Sequence, residues 1–300
     1  MIKILITGGK GQLGRDLEKV LLKSGKHELI CLGHNELDIT KPAEVQEMIL
    51  TNWPEVIIHA AANTKVDQCE LDMDSAYLVN ALGSRNVAVA ASKVGSKLVY
   101  ISTDYVFSGN KNGVGSSHLT FVELCGRTAP YTEFDIPDPI NVYGKSKLAG
   151  EQYTAGLSNK YFIVRTSWLY GGHGKNFVKT ILNLAKEKNE ISVVNDQVGS
   201  PTYTKDLAHF IAELVQTELY GIYHASNSGF CSWFDFARAI FKIANFSQIK
   251  VKPVSTQELN YPAPRPAYSV LDNYCLRLQG LPALRPWEDA LQEFLTEILK

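Results

Sequence analysis

Residues 2–14 read IKILITGGKGQLG, and this stretch decides the fold. Ile2 to Thr7 is a short, nearly continuous apolar run, the composition of a strand buried on both faces. Gly8, Gly11 and Gly14 follow at GxxGxxG spacing, and Gln12 to Leu22 then carries apolar residues at helical intervals. Glycines at a strand-to-helix turn let the backbone approach a pyrophosphate closely, while the helix start offers free N–H groups and the positive end of its dipole. Alone, such a motif reads equally as a plain glycine-rich turn. The strand before it and the helix after it favour a dinucleotide site.

The same alternation continues outward. Glu28 to Leu32, Val56 to Ala60, Leu98 to Ser102 and Phe162 to Thr166 read as strands, and Pro42 to Thr51, Ser75 to Val94 and Val142 to Tyr153 as helices between them. This predicts an α/β fold with a doubly wound, Rossmann-like parallel sheet. Past about Tyr170 the rhythm changes: a helix at about 176–188, a strand at Ile191 to Val194, and a helix at about 205–217. Ser232-Trp-Phe-Asp then opens a helix towards Asn245, and Trp287 to Leu299 forms a terminal one. The expected division is a cofactor-binding domain over 1–170, with part of about 195–217 returning to it, and a smaller C-terminal substrate lobe over 171–300. A ligand belongs in the cleft between them.

Composition narrows the function. The 300 residues carry 30 Lys and Arg against 31 Asp and Glu, a net charge of -1, with no basic run, so a nucleic-acid partner is not expected. No apolar run approaches the 18 or so residues of a membrane span. The first apolar segment enters a glycine turn and does not resemble a signal peptide. Five scattered cysteines form no CxxC pair and read as reduced cytoplasmic thiols. Seven dispersed histidines show no ligand spacing, so no metal is expected in the chemistry.

At the end of the second strand, where an acid usually holds the adenosine ribose, CLGHN places Gly33. Lys10 and Arg15 stand near the same mouth and suit a 2'-phosphate, which favours NADPH over NADH as cofactor. Tyr143 and Lys147 lie four residues apart on a helix, hence on one face. A lysine ammonium beside a tyrosine favours the phenolate and draws down a pKa that is ordinarily near 10. Tyr143 then exchanges a proton with a substrate oxygen, and Lys147 also reaches the nicotinamide ribose. Thr103, at the end of the fourth strand, is the better candidate to bond the substrate carbonyl; whether it or Ser102 points inward is open at this stage.

With HAAANTKVD (59–67), STDYVF (102–107) and YGKSK (143–147), the chain resembles an extended short-chain dehydrogenase/reductase over nearly its whole length. Within that superfamily GQLG, LDIT, STDYVFSG, PINVYGKSKLAGE, RTSWLYG, NDQVGSPT and a late RP pair resemble the dTDP-4-dehydrorhamnose reductase family. That resemblance implies hydride transfer from a reduced nicotinamide to the C4 carbonyl of a nucleotide-linked 4-keto-6-deoxysugar, with tyrosine as proton donor. It puts Gly11, Gln12 and Leu13 on the pyrophosphate, Asp38 and Ile39 beside the adenine, Ala60, Ala61 and Ala62 along the cofactor cleft and Ile101 behind it. Thr103 and Asp104 would contact the sugar nucleotide, Trp168 would close over the sugar ring, and Gln197, Thr202 and Arg265 would serve the nucleotide half. Arg265 suits a diphosphate, because a guanidinium matches its geometry and flanking prolines fix the loop.

The resemblance leaves alternatives: a nucleotide-sugar epimerase or dehydratase, which retains its oxidised cofactor, or a regulatory binding subunit of the same fold. It is compatible with a homodimer. One departure is an insertion of about fifteen residues over 113–128, read as a solvent-exposed excursion or as a cover over the site.

Overall fold

The computed structural model describes residues 1–111, 129–246 and 248–300. Strands β1 (Ile2–Thr7), β2 (His27–Leu32), β3 (Val56–His59), β4 (Lys97–Thr103) and β5 (Tyr161–Thr166) form where the apolar runs predict them. All pair in parallel, in the order β2-β1-β3-β4-β5. Ile4, Ile6, Ile58, Val99 and Val164 are fully buried. Each such side chain contributes roughly 1.5–3 kcal/mol relative to exposure, so the register that buries them is strongly specified.

Helices α1 (Gln12–Lys23), α2 (Pro42–Asn52), α3 (Val66–Leu71), α4 (Met73–Tyr77), α5 (Ser84–Val94) and α6 (Val142–Leu157) connect the strands. The continuous helix expected over 75–94 is broken by a π-helical segment, Leu78–Gly83, between α4 and α5. The physical reason is tertiary. The segment leaves the Asn80 carbonyl to accept from the Ser84 and Tyr100 hydroxyls, and buries the Asn80 amide between Asn63 and Ser146.

The chain beyond β5 forms β6 (Leu169–Tyr170), α7 (Phe177–Leu184), β7 (Glu190–Val194), β8 (Val198–Gly199), β9 (Thr202–Tyr203) and α8 (Thr204–Leu214). Next come β10 (Gly221–His224), β11 (Cys231–Ser232), α9 (Trp233–Ile243), β12 (Lys250–Val254), α10 (Thr256–Leu259), α11 (Tyr274–Leu278) and α12 (Trp287–Ile298). The capping signal at Ser232 is realised, its Oγ accepting from the Asp235 amide at 3.0 Å. The helix expected at about 176–188 is shorter, spanning only α7.

Strand β10 escapes the sequence reading, yet it is the sixth strand of the sheet and pairs in parallel with β5. Four residues, the first a glycine and the last running into a polar loop, are too few for a periodic signal. Leu207 and Ile211 of α8 share a core with Leu17 of α1 and Ile4 of β1. A separate core unites Val178, Phe236, Ile240, Leu291 and Phe294 from α7, α9 and α12. The insertion over 113–128 lies outside the described residues.

Candidate active site

The strand order reverses between β1 and β3, and the cleft opens at the carboxyl ends of these strands, where an open parallel sheet accommodates ligands. Gly8 adopts φ +68°, and a Cβ there would stand 2.6 Å from the Ala61 nitrogen. A Cβ on Gly14 would stand 2.5 Å from the Gly8 carbonyl oxygen. Only glycine allows the loop to fold this closely against α1 and against the segment following β3. Gly11 caps α1 without a side-chain bond, and no acid occupies the first turn. The first N–H groups of α1 are therefore free to face an anion.

The cleft encloses about 450 Å³. From the sequence-derived set it gathers Gly11, Gln12, Leu13, Ala60, Ala62, Ile101, Thr103, Asp104, Tyr143, Lys147 and Trp168. Ser102 also reaches its wall, but its hydroxyl donates at 2.5 Å to Glu151 Oε1, which accepts from Arg165 Nε as well. Alternation along β4 turns Thr103 the other way: its hydroxyl hydrogen-bonds with Tyr143 and contacts Asp104 Oδ1 at 3.1 Å. Thr103 is thus the hydroxyl beside the tyrosine.

Lys147 and Tyr143 do share one face of α6, but not as the expected pair. Lys147 Nζ donates to the Ile101 carbonyl at 2.7 Å and lies over the Tyr100 ring. Burial pushes its pKa down to about 7, with Glu151 one turn along α6 opposing the shift. Tyr143 is pushed up from 10 by burial, opposed by its bond with Thr103, and does not have the lowered pKa that the spacing suggests. The enclosure of the phenol outweighs any attraction from an ammonium committed to a backbone carbonyl. A phenol with a raised pKa keeps its proton at neutral pH, which suits a donor better than a base. Beneath the floor, His59 bridges Thr7 and Ser84 and is held neutral by burial and by Lys147, its pKa near 3.

Trp168 stacks on Trp233 with ring centroids 3.5 Å apart, and both line the cleft. Trp168 has φ +46°, an uncommon conformation for a bulky residue, held where its indole packs against Gly199. Trp233, Lys175 and Tyr105 were not singled out from sequence. The capping signal at Ser232 placed Trp233 at a helix start without showing that this start faces the cleft. Lys175 and Tyr105 had no signal beyond their neighbours.

The remaining residues lie elsewhere. Gly8, Gly14 and Ala61 form the loop's packing behind the cleft. The Asp38 carboxylate accepts from the Thr40 amide and hydroxyl, which hold it below the usual carboxylate range, and Ile39 is buried against Gly83. Gln197 donates to Thr256, and Thr202 is buried next to β6. Arg265 is held bidentately by Asp67 at 2.7 and 2.8 Å and lies over the Tyr261 ring, so much of its donor capacity faces α3. At the end of β2, Lys10 packs against Gly33 while Glu36 folds back to accept from the Gly33 amide at 2.9 Å.

Among the described residues, no group of His, Cys, Asp and Glu is placed to hold a metal ion, and no helix is long and apolar enough to cross a membrane.

The family model described as "RmlD substrate binding domain" matches residues 2–300. A dTDP-4-dehydrorhamnose reductase of Aggregatibacter actinomycetemcomitans is 41% identical over 97% of this chain and 98% of its own. The spore coat polysaccharide biosynthesis protein SpsK of Bacillus subtilis is 42% identical over 99% and 98%. A crystal structure of dTDP-4-dehydrorhamnose reductase from Bacillus anthracis, in complex with NADP, superposes with a TM-score of 0.90 at 49% identity, covering 99% of this chain and all of that one. On the phosphate loop, the Thr103–Tyr143–Lys147 cleft and these matches along the full chain, the protein belongs to the dTDP-4-dehydrorhamnose reductase family.

Proposed function

We propose that this protein reduces the C4 carbonyl of dTDP-4-dehydro-L-rhamnose to give dTDP-L-rhamnose, a precursor for polysaccharide synthesis. The observation that carries this reading is the placement of Thr103, Tyr143 and Lys147 in one cleft with the phosphate loop Gly11–Leu13. The free N–H groups of α1 and the glycine cradle fit a dinucleotide pyrophosphate. A reduced nicotinamide supplies hydride when bound. Tyr143, oriented by the Thr103 hydroxyl and kept protonated by burial, holds the substrate oxygen and donates the proton as negative charge develops there. Lys147 faces the ribose side and stabilises the phenolate left behind. The stacked Trp168–Trp233 pair offers an apolar wall to the deoxysugar.

Lys10 and Arg15 lie close enough to Cys31, at the end of β2, to influence its thiol, and this pair of cations suits the 2'-phosphate of NADPH. Glu36 at the same place suits a free ribose, so NADH is a second substrate in this reading. The protein acts in the cytoplasm, where its cysteines stay reduced.

The test is oxidation of NADPH, and separately of NADH, upon addition of dTDP-4-dehydro-L-rhamnose. Stoichiometric consumption with formation of dTDP-L-rhamnose is expected. Purified protein that carries tightly held NAD and interconverts sugars without added reductant would instead establish an epimerase, and cofactor binding without turnover a regulatory subunit.

A further inference from the structure

Asp104 follows Thr103 at the carboxyl end of β4 and lines the cleft, yet is only 2% exposed. Its Oδ1 is 3.1 Å from the Thr103 hydroxyl, while Oδ2 accepts no hydrogen bond of normal length and angle among the described residues, although the Ser269 hydroxyl and nearby backbone amides come close enough to favour the charged form. The Thr103 hydroxyl has one proton and two lone pairs. One lone pair already accepts from the Tyr105 amide at 3.2 Å. A single proton and a single lone pair are left to serve both Asp104 and Tyr143. With Asp104 ionised, Thr103 must donate to the carboxylate and can only accept from Tyr143, so the phenol proton points away from substrate. With Asp104 protonated the chain runs forward: the carboxyl donates to Thr103, Thr103 donates to the Tyr143 oxygen, and the phenol proton is free to face the substrate oxygen.

We propose that Asp104 holds the proton that replaces the one given up by Tyr143, delivered through the Thr103 hydroxyl. This rests on the reductase reading. As the phenolate gains the Thr103 proton, the Thr103 oxygen gains the Asp104 proton. Tyr143 ends neutral, Thr103 unchanged and Asp104 as carboxylate, which takes a proton back from water when the cleft opens. Asp104 acts through Thr103 and is in that sense a positioning residue. The surroundings suit the role. Burial raises its pKa to about 7, opposed by Ser269, Thr103 and the backbone amides of Asp104 and Tyr105. Tyr143 on α6 and Tyr105 on the following turn face it, with Arg265 and Asp67 beyond Tyr105, and Lys147 and Lys175 elsewhere on the cleft wall.

Infrared difference spectroscopy on protein labelled with 13C-aspartate reads the carboxyl directly, without cofactor or turnover. A protonated-carboxyl band that titrates near pH 7 and is missing in Asp104→Asn is expected; absence of that band from the unmodified protein overturns the proposal. In turnover, Asp104→Asn should lower kcat about tenfold or more and flatten the kcat–pH profile around neutrality, with cofactor affinity by fluorescence titration within about twofold. An unaltered kcat and profile overturn it. Should that variant not fold, a proton inventory of the unmodified enzyme in H2O/D2O mixtures decides: a curved plot is expected from a multi-proton chain, and a straight one overturns it. Failure of the unmodified protein to oxidise NADPH removes the reductase reading and this route together, whereas normal turnover with an unaltered Asp104→Asn profile removes the route alone.

Discussion

Lys147 Nζ donates a 2.7 Å hydrogen bond to the Ile101 carbonyl, one helical turn from Tyr143. The ammonium is thereby fixed at the end of β4 and takes its electrostatic setting from burial and Glu151. Its pKa of about 7, against an ordinary 10.5, has a consequence for folding. Below pH 7 both folded and unfolded chains hold this proton. Between about 7 and 10.5 only the unfolded chain does, so stability gains with rising pH over that window. Urea midpoints measured across it should therefore rise for the unmodified protein relative to Lys147→Met, and parallel curves would contradict the lowered pKa.

Removing the phenol hydroxyl tests the proton donor. Tyr143→Phe should lower kcat by about 10²–10⁴-fold, the usual worth of general acid catalysis, while cofactor affinity by fluorescence titration stays close to the starting value. Because burial holds this phenol above its ordinary pKa of 10, the unmodified enzyme should show no alkaline loss of kcat from tyrosine ionisation below about pH 9.

Arg265 and Asp67 give a separate prediction on substrate binding. Asp67 is held below the usual carboxylate range chiefly by its bond to Arg265, and the clip ties the late proline-rich loop to α3. If Arg265 serves the diphosphate as its residue type suggests, Arg265→Ala raises the substrate KM several-fold with little change in kcat, the signature of lost uniform binding. Asp67→Asn, which removes a competing carboxylate, should not raise it. Steady-state kinetics on both variants separates these outcomes.

The Glu151–Arg165 pair supports the floor of the site from within. Both side chains are under 5% exposed and meet at 2.7 Å, with Ser102 and His224 completing the cluster. Glu151→Gln leaves Arg165 buried without its counter-charge and should cost about 3–5 kcal/mol, measured by urea denaturation. Replacing both residues with apolar ones of similar volume should recover part of the loss.

The sheet and the phosphate loop were legible because their causes are local. Continuous Ile, Leu and Val runs report burial on both faces, and glycines report backbone that a side chain would obstruct. Tyr143 and Lys147 were legible for the same reason, since a helix fixes the geometry of residues four apart. Strand β10 was not, because its pairing with β5 supplies what four residues cannot encode alone. The π-helical break before α5 depends likewise on the partners of Asn80, distant in sequence.

The amino-acid sequence by itself determined the parallel sheet, the glycine cradle at the start of α1 and the presence of a tyrosine and a lysine on one face of α6. Only the tertiary structure decided that Thr103 and not Ser102 faces the tyrosine, that Lys147 bonds to Ile101, that Arg265 engages Asp67 and that Trp233 joins Trp168. Periodicity and steric demand act between near neighbours and are written into local sequence. Hydrogen-bond partners and desolvation depend on what the rest of the chain brings alongside, and these set the protonation states of Tyr143, Lys147 and Asp104.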